Sequence, residues 1–181
     1  MVSIGVLFLC LFWGNPGYAR QDDPRLDELF SALTDTNDTP EAKVIEGSIW
    51  KIWLTSGSDT VDFMMLQGIN YMSEGRFDKA LILFSTVIKI DPEFSEAWNK
   101  RATVLFLLGD FDKSIEDIGH TLELEPRHFG ALAGLGQIYD LQHNQRNALL
   151  AYEKAMAINP HLPGVKIRLK QLQTERDKKN I

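Results

Sequence analysis

Four histidines, His120, His128, His143 and His161, are the side chains best able to ligate a metal or move a proton. None forms an i,i+4 pair on one helix, and the chain's single cysteine, Cys10, lies far from all of them. His120 is expected on a helix and the other three at turns, so the spacings of a metal site are missing. The acidic pairs Glu116-Asp117 and Glu123/Glu125 sit one or two residues apart on a helix, where side chains do not face each other. They do not make an acid–base dyad. No serine lies in a nucleophile motif and no glycine-rich phosphate loop follows a strand, because no strand is expected. Asn37-Asp38-Thr39 fits a glycosylation sequon, but Thr39 also reads as a helix cap. These residue types point to no catalytic residue, no metal ligand and no cofactor. The sequence does not read as an enzyme.

The elements around them explain more. The chain has 181 residues, 44% hydrophobic and 24% charged, which suits one globular domain. Its net charge of −6 argues against a nucleic-acid partner, since phosphates need a basic surface. Residues 164–181 hold six basic and two acidic residues, so the rest of the chain sums to −10. A basic tail of this kind is a solvated terminal helix or a patch for a membrane surface or acidic partner.

Between Val2 and Trp13 only Ser3 and Gly5 interrupt an apolar run, too short to span a bilayer and of signal-peptide length. Asn15-Pro16-Gly17-Tyr18-Ala19 then offers a turn and a small-x-small pair, placing cleavage after Ala19. No basic residue precedes the run, so an uncleaved anchor is the alternative. Residues 1–19 are therefore read as a signal peptide and the protein as exported, with a periplasmic location. Membrane contact is expected only through an uncleaved N-terminus or the basic C-terminal helix.

A 34-residue period organises the remainder. Asp91-Pro92, Glu125-Pro126 and Asn159-Pro160 repeat at that step, as do Gly68, Ala102 and Gly136, and Ala80, Ser114 and Ala148. Phe84, Ile118 and Tyr152 keep the same spacing, and so do Tyr71, Leu105 and Tyr139. Each unit reads as two helices. In the first unit, Gly75 ends the opening helix by accepting a left-handed conformation, and Pro92 disfavours helix at Asp91. The small residues mark where the two helices cross. No unit can bury its apolar face alone, so the units stack.

These residues resemble the tetratricopeptide (TPR) family, and residues 129–162 match its pattern with Leu132, Leu135, Gly136, Tyr139, Ala148, Tyr152, Ala155 and Pro160. Residues 95–128 carry Arg101, and 61–94 carry Gln67, where that pattern has Leu135. The resemblance implies an all-α fold: a right-handed helix-turn-helix solenoid of three repeats at 61–94, 95–128 and 129–162. Residues 20–60 are expected to form a helical hairpin, a divergent repeat-like cap on the first repeat. Trp50 and Trp53 fall on repeat positions there, and Glu46 stands where a small residue belongs. Thr39 reads as the N-cap of its second helix, with Pro40 at the first helical position. Residues 163–181 are expected to form a basic capping helix with Val165, Leu169 and Leu172 inward.

Arg101 would be costly to bury alone. Asp117, 16 residues on, lies opposite in the hairpin geometry, and the resemblance implies a structural Arg101–Asp117 ion pair. It also implies a concave groove lined by the first helices: Met65, Ile69 and Met72; Asn99, Lys100, Thr103 and Phe106; Gly130, Ala133, Gly134, Gln137 and Asp140. Three helical glycines in one segment cost about 2–3 kcal/mol against alanine. Gly136 has a packing reason; Gly130 and Gly134 read instead as a smooth trough beside Phe106. Family members that clamp a C-terminal carboxylate use basic and Asn side chains, which Met65, Ile69, Gly130 and Gly134 replace. The expectation is a non-catalytic scaffold or assembly factor binding a protein or peptide partner of the cell envelope. A self-associating or membrane-tethered structural role is the alternative.

Overall fold

A computed structural model describes residues 21–179; the signal-peptide reading of residues 1–19 lies outside them. Among the described residues the chain is all helical, with α1 (Arg25–Asp35) and α2 (Thr39–Trp53) preceding the repeats. Then come α3 (Asp59–Ser73) and α4 (Phe77–Ile90), α5 (Ser95–Leu107) and α6 (Phe111–Leu124), and α7 (Phe129–Leu141) and α8 (Gln145–Ile158). Helix α9 (Pro163–Lys179) closes the stack. Within each unit the two helices pack on each other and then on the next unit, giving a solenoid.

The turns inside the units share one geometry. Gly75 and Gly109 sit at φ +73° and +79°, and His143 takes the same left-handed place at φ +58°. The following amide reaches back to the carbonyl of Tyr71, Leu105 or Tyr139 at 2.8–2.9 Å, which satisfies a helix-end acceptor. The turns between units are set by proline: Asp91, Glu125 and Asn159 are each held extended at φ −128° to −139°. The crossing points leave no room for side chains. A Cβ at Gly68 would fall 2.5 Å from the Phe84 ring, and one at Gly136 would fall 2.5 Å from Tyr152. In the middle unit the Ser114 hydroxyl donates to the Ala102 carbonyl at 2.8 Å.

Arg101 forms a two-pronged pair with Asp117, both N···O distances 2.7 Å. The carboxylate is buried and the guanidinium lies 4.9 Å from the Trp98 ring centre. Charge and hydrogen bonds are thus satisfied together, which a leucine there would not require.

The N-terminal hairpin departs from expectation. It does not sit as a repeat-like cap on the first repeat; it folds back along one edge of the stack and crosses the turns between units. Leu26, Leu33, Ile49 and Trp53 are fully buried in a cluster shared with Phe129, Ile158 and Leu162. Burial of each such side chain is worth about 1.5–3 kcal/mol. Polar contacts fall on all three turns. Gln21 donates to the Glu93 carbonyl at 2.6 Å, Arg127 pairs with Asp27 at 2.5 Å, and Asn159 donates to Glu46 at 3.2 Å. Glu46 stands at the small-residue position of a normal unit, and its carboxylate accepts from Trp50 and from Asn159 of the last turn between units. The helix start shifts by one, with Asp38 as N-cap and Thr39 already helical.

Candidate functional site

The concave faces of the last two units and α9 enclose an open cavity of about 720 Å³. Helix α5 contributes Asn99, Thr103 and Phe106; α7 contributes Gly130, Ala133, Gly134, Gln137 and Asp140. Ile118, Ile138 and Tyr152 line the interior, and Val165 and Arg168 of α9 form the far wall. Gly134 keeps the floor low, since a Cβ there would find its nearest neighbour, Ile118, only at 3.9 Å.

The lining is mostly apolar, with Asn99, Thr103 and Gln137 as neutral polar groups and one self-neutralised charged pair. Arg168 grips Asp140 with two bonds of 2.5 and 2.7 Å. That guanidinium holds the Asp140 carboxyl below its usual range. Burial, with Asp140 nearby, pushes the Tyr152 phenol up to about 12, so it stays neutral. Among the described residues no other charged side chain lines this cavity.

Four of the groove residues named from sequence, Met65, Ile69, Met72 and Lys100, lie outside the cavity, and Gly130 lines it while doing a second job. Met65 is buried beside Phe84 and Phe94 in the core of the first units, and Ile69 and Met72 pack half-buried against it. They do not reach the cavity, because α3 and α4 draw that stripe inward. Lys100 turns away to Glu96, at 2.8 Å, with its ammonium 5.2 Å from the Trp50 ring centre. Gly130 does have a packing reason. A Cβ there would fall 2.8 Å from the Trp50 ring, so the glycine is the seat of the hairpin rather than free trough.

The charged cluster at this end of the groove is absent from the sequence reading. Glu96 and His128 are both fully buried, 2.8 Å apart. The Ala131 amide donates to His128 Nδ1 at 3.0 Å, which leaves the ring proton on Nε2, donated to Glu96. Asn99 donates to the same carboxylate at 2.9 Å. Burial pushes the Glu96 carboxyl up, but Lys100 and His128 outweigh it and hold it below its ordinary value. Trp53 stacks on the imidazole at 4.2 Å and 9°, and Trp50 meets it edge-on at 5.4 Å. With a carboxylate, an imidazole and an ammonium the cluster has the residues of acid–base chemistry. It has no opening for a substrate, so it acts as the hairpin's anchor. One signal marked it: the place of His128 is filled by Phe94 and Leu162 in the neighbouring units, so a polar residue replaces an apolar one.

Tetratricopeptide repeat patterns match residues 61–94 and 83–116. A TPR repeat-containing protein of Rhizobium etli is 39% identical over 136 residues, covering 75% of this chain and 67% of that protein. A TPR repeat-containing protein of Methanocaldococcus jannaschii is 32% identical over 94 residues, 52% of this chain and 29% of its own length. Among solved structures, the TPR domain of Sgt2 from Aspergillus fumigatus superposes with a TM-score of 0.63 at 22% identity, covering 68% of this chain and 83% of that one. The first TPR of Spaghetti (RPAP3), bound to the HSP90 peptide SRMEEVD, gives 0.61 at 18%, covering 65% and 93%.

Proposed function

The chain belongs to the tetratricopeptide repeat family, and from that premise we propose that it is a non-catalytic scaffold or assembly factor of the cell envelope. Its groove binds an uncharged, apolar stretch of a partner protein, extended or helical. The observation that carries this is the cavity itself: an apolar floor over Gly134, wide enough for large side chains, with its only charges already paired. Among the described residues the one lining cation, Arg168, is taken by Asp140, and nearby Lys100 by Glu96, so neither is left for the acidic end of a peptide such as the SRMEEVD bound by the first TPR of Spaghetti. The apolar run of residues 2–13 and the Asn15-Pro16-Gly17-Tyr18-Ala19 sequence support export, and with it a periplasmic location. Among the described residues no helix is long and apolar enough to cross a membrane.

The test places a photo-crosslinking residue at Thr103 or Gln137 in the native cell, with Glu116 on the outer helix α6 as control. The expected result is one dominant envelope protein captured from the groove positions and lost with Gly134→Asp. Capture that is equal from Glu116, or that survives Gly134→Asp in a folded chain, overturns the reading.

A further inference from the structure

In a stack of these units, the first helix of each unit hides one face against the unit before it. Ala97 and Ala131, third in their units, are 0% and 1% exposed, and Val104 and Ile138, tenth in theirs, are fully buried. The same places in the first unit hold Phe63, which is 62% exposed, and Asn70, also exposed. Leu66 beside them is 55% exposed. The hairpin would ordinarily cover this face, but it is engaged on the turns, and no described residue replaces it. A phenylalanine and a leucine one helical turn apart are thus left open together at the end of the stack.

The other end of the stack complements it. Helix α9 continues the register of the first helices, turning Val165 and Leu172 toward α8. Its outward stripe carries Ile167, 62% exposed, and lines a shallow depression of about 410 Å³ with Lys170, Gln171, Thr174, Glu175 and Lys178. First helices pack mainly on the preceding second helix and touch the preceding first helix in parallel; among the described residues no second helix follows α9, so it would meet a following α3 directly and in parallel. In that register Ile167 lies against Phe63, and eleven residues further on Lys178 lies against Glu74. Lys170 falls beside Leu66 and Gln67, with Asp59 exposed at the start of α3. Glu74 also meets Arg76 at 3.0 Å but remains half exposed, open to a second cation. The two ends differ in charge: α3 carries Asp59 and Asp62 with no basic residue, while residues 164–181 sum to +4.

We propose that a second copy of this chain covers α3, its α9 docking there head to tail. Such a contact joins two different patches and leaves one end free for a further copy. One apolar pair ringed by exposed charges gives a reversible, salt-sensitive association.

The test uses the full chain with Cys10→Ser, so that introduced thiols are the only ones. Phe63→Cys and Ile167→Cys chains are oxidised separately and as an equal mixture. The expected product is a disulfide-linked pair from the mixture alone. Sedimentation of the unmodified chain is expected to show mass rising with concentration. Phe63→Glu and Ile167→Glu, both at exposed places that leave the fold intact, are each expected to weaken association at least about tenfold. Linkage of Phe63→Cys to itself means a symmetric contact and overturns the head-to-tail arrangement. A chain that stays monomeric overturns the proposal, as does a Phe63→Cys thiol shielded in the monomer by residues 1–20.

Discussion

Replacing the glycines of α7 by alanine, one at a time, sets two opposed effects against each other. Alanine in a helix is favoured over glycine by about 0.8–1.0 kcal/mol. At Gly134 nothing opposes this gain, because the new Cβ meets its nearest atom at 3.9 Å. Gly134→Ala is therefore expected to stabilise the chain by about 1 kcal/mol. At Gly130 the Cβ would lie 2.8 and 3.1 Å from two atoms of the Trp50 ring. That ring cannot simply retreat, since it packs edge-on against Trp53, His128 and Phe129 at 5.3–5.5 Å. Forced overpacking costs about 1–3 kcal/mol. Gly130→Ala is then neutral to destabilising by about 2 kcal/mol, and the two substitutions differ by about 1–3 kcal/mol. Urea unfolding with an unchanged slope measures that difference, and thermal midpoints should separate by about 2–4 °C per kcal/mol. The same substitution in a Trp50→Ala background isolates the contact, because the ring is gone and only propensity remains. Gly130→Ala should stabilise there. If it stabilises the unmodified chain as Gly134→Ala does, Trp50 is not seated on α7, and the hairpin is not where the structure puts it.

Two further outcomes follow from the turns and from α9. His143→Gly should stabilise the chain by about 1 kcal/mol in chemical denaturation, because His143 holds the left-handed place that Gly75 and Gly109 fill without a Cβ penalty. Arg168 holds the Asp140 carboxyl below its ordinary value of 3.8, so the pair contributes stability above the unfolded carboxyl's range. That contribution is lost as pH falls through the lowered folded value, and α9 should open first. Hydrogen exchange of α9 amides is expected to accelerate below about pH 4. Asp140→Asn should bring weaker protection at neutral pH and remove this added acid sensitivity.

The helices and the crossings between them were legible because a period carries them. Gly68, Ala102 and Gly136 recur at one step, so each tells what the others do, and Phe84 and Tyr152 occupy the space they leave. The pair of Arg101 with Asp117 was readable for the same reason, both residues lying in one unit. The hairpin's berth lies outside any period. Trp50 and Trp53 meet His128 and Phe129 more than seventy residues away, through a contact that no other unit makes. Spacing alone cannot show such a contact, and reading Trp50 and Trp53 in the repeat frame placed the hairpin on the first unit.

What the period does show is where a unit departs from its neighbours. His128 replaces an apolar residue, Glu46 replaces a small one, and Gly130 stands where the preceding unit has Glu96. In the structure all of these converge on one edge: Glu96 binds His128, Gly130 seats Trp50, and Glu46 holds both Trp50 and Asn159. The Arg101–Asp117 pair and the crossing glycines Gly68 and Gly136 serve packing inside a unit, whereas the Glu96–His128 contact and Gly130 serve the two tryptophans of the hairpin. By occupying the edge the hairpin leaves Phe63 and Leu66 of α3 exposed at the end of the stack.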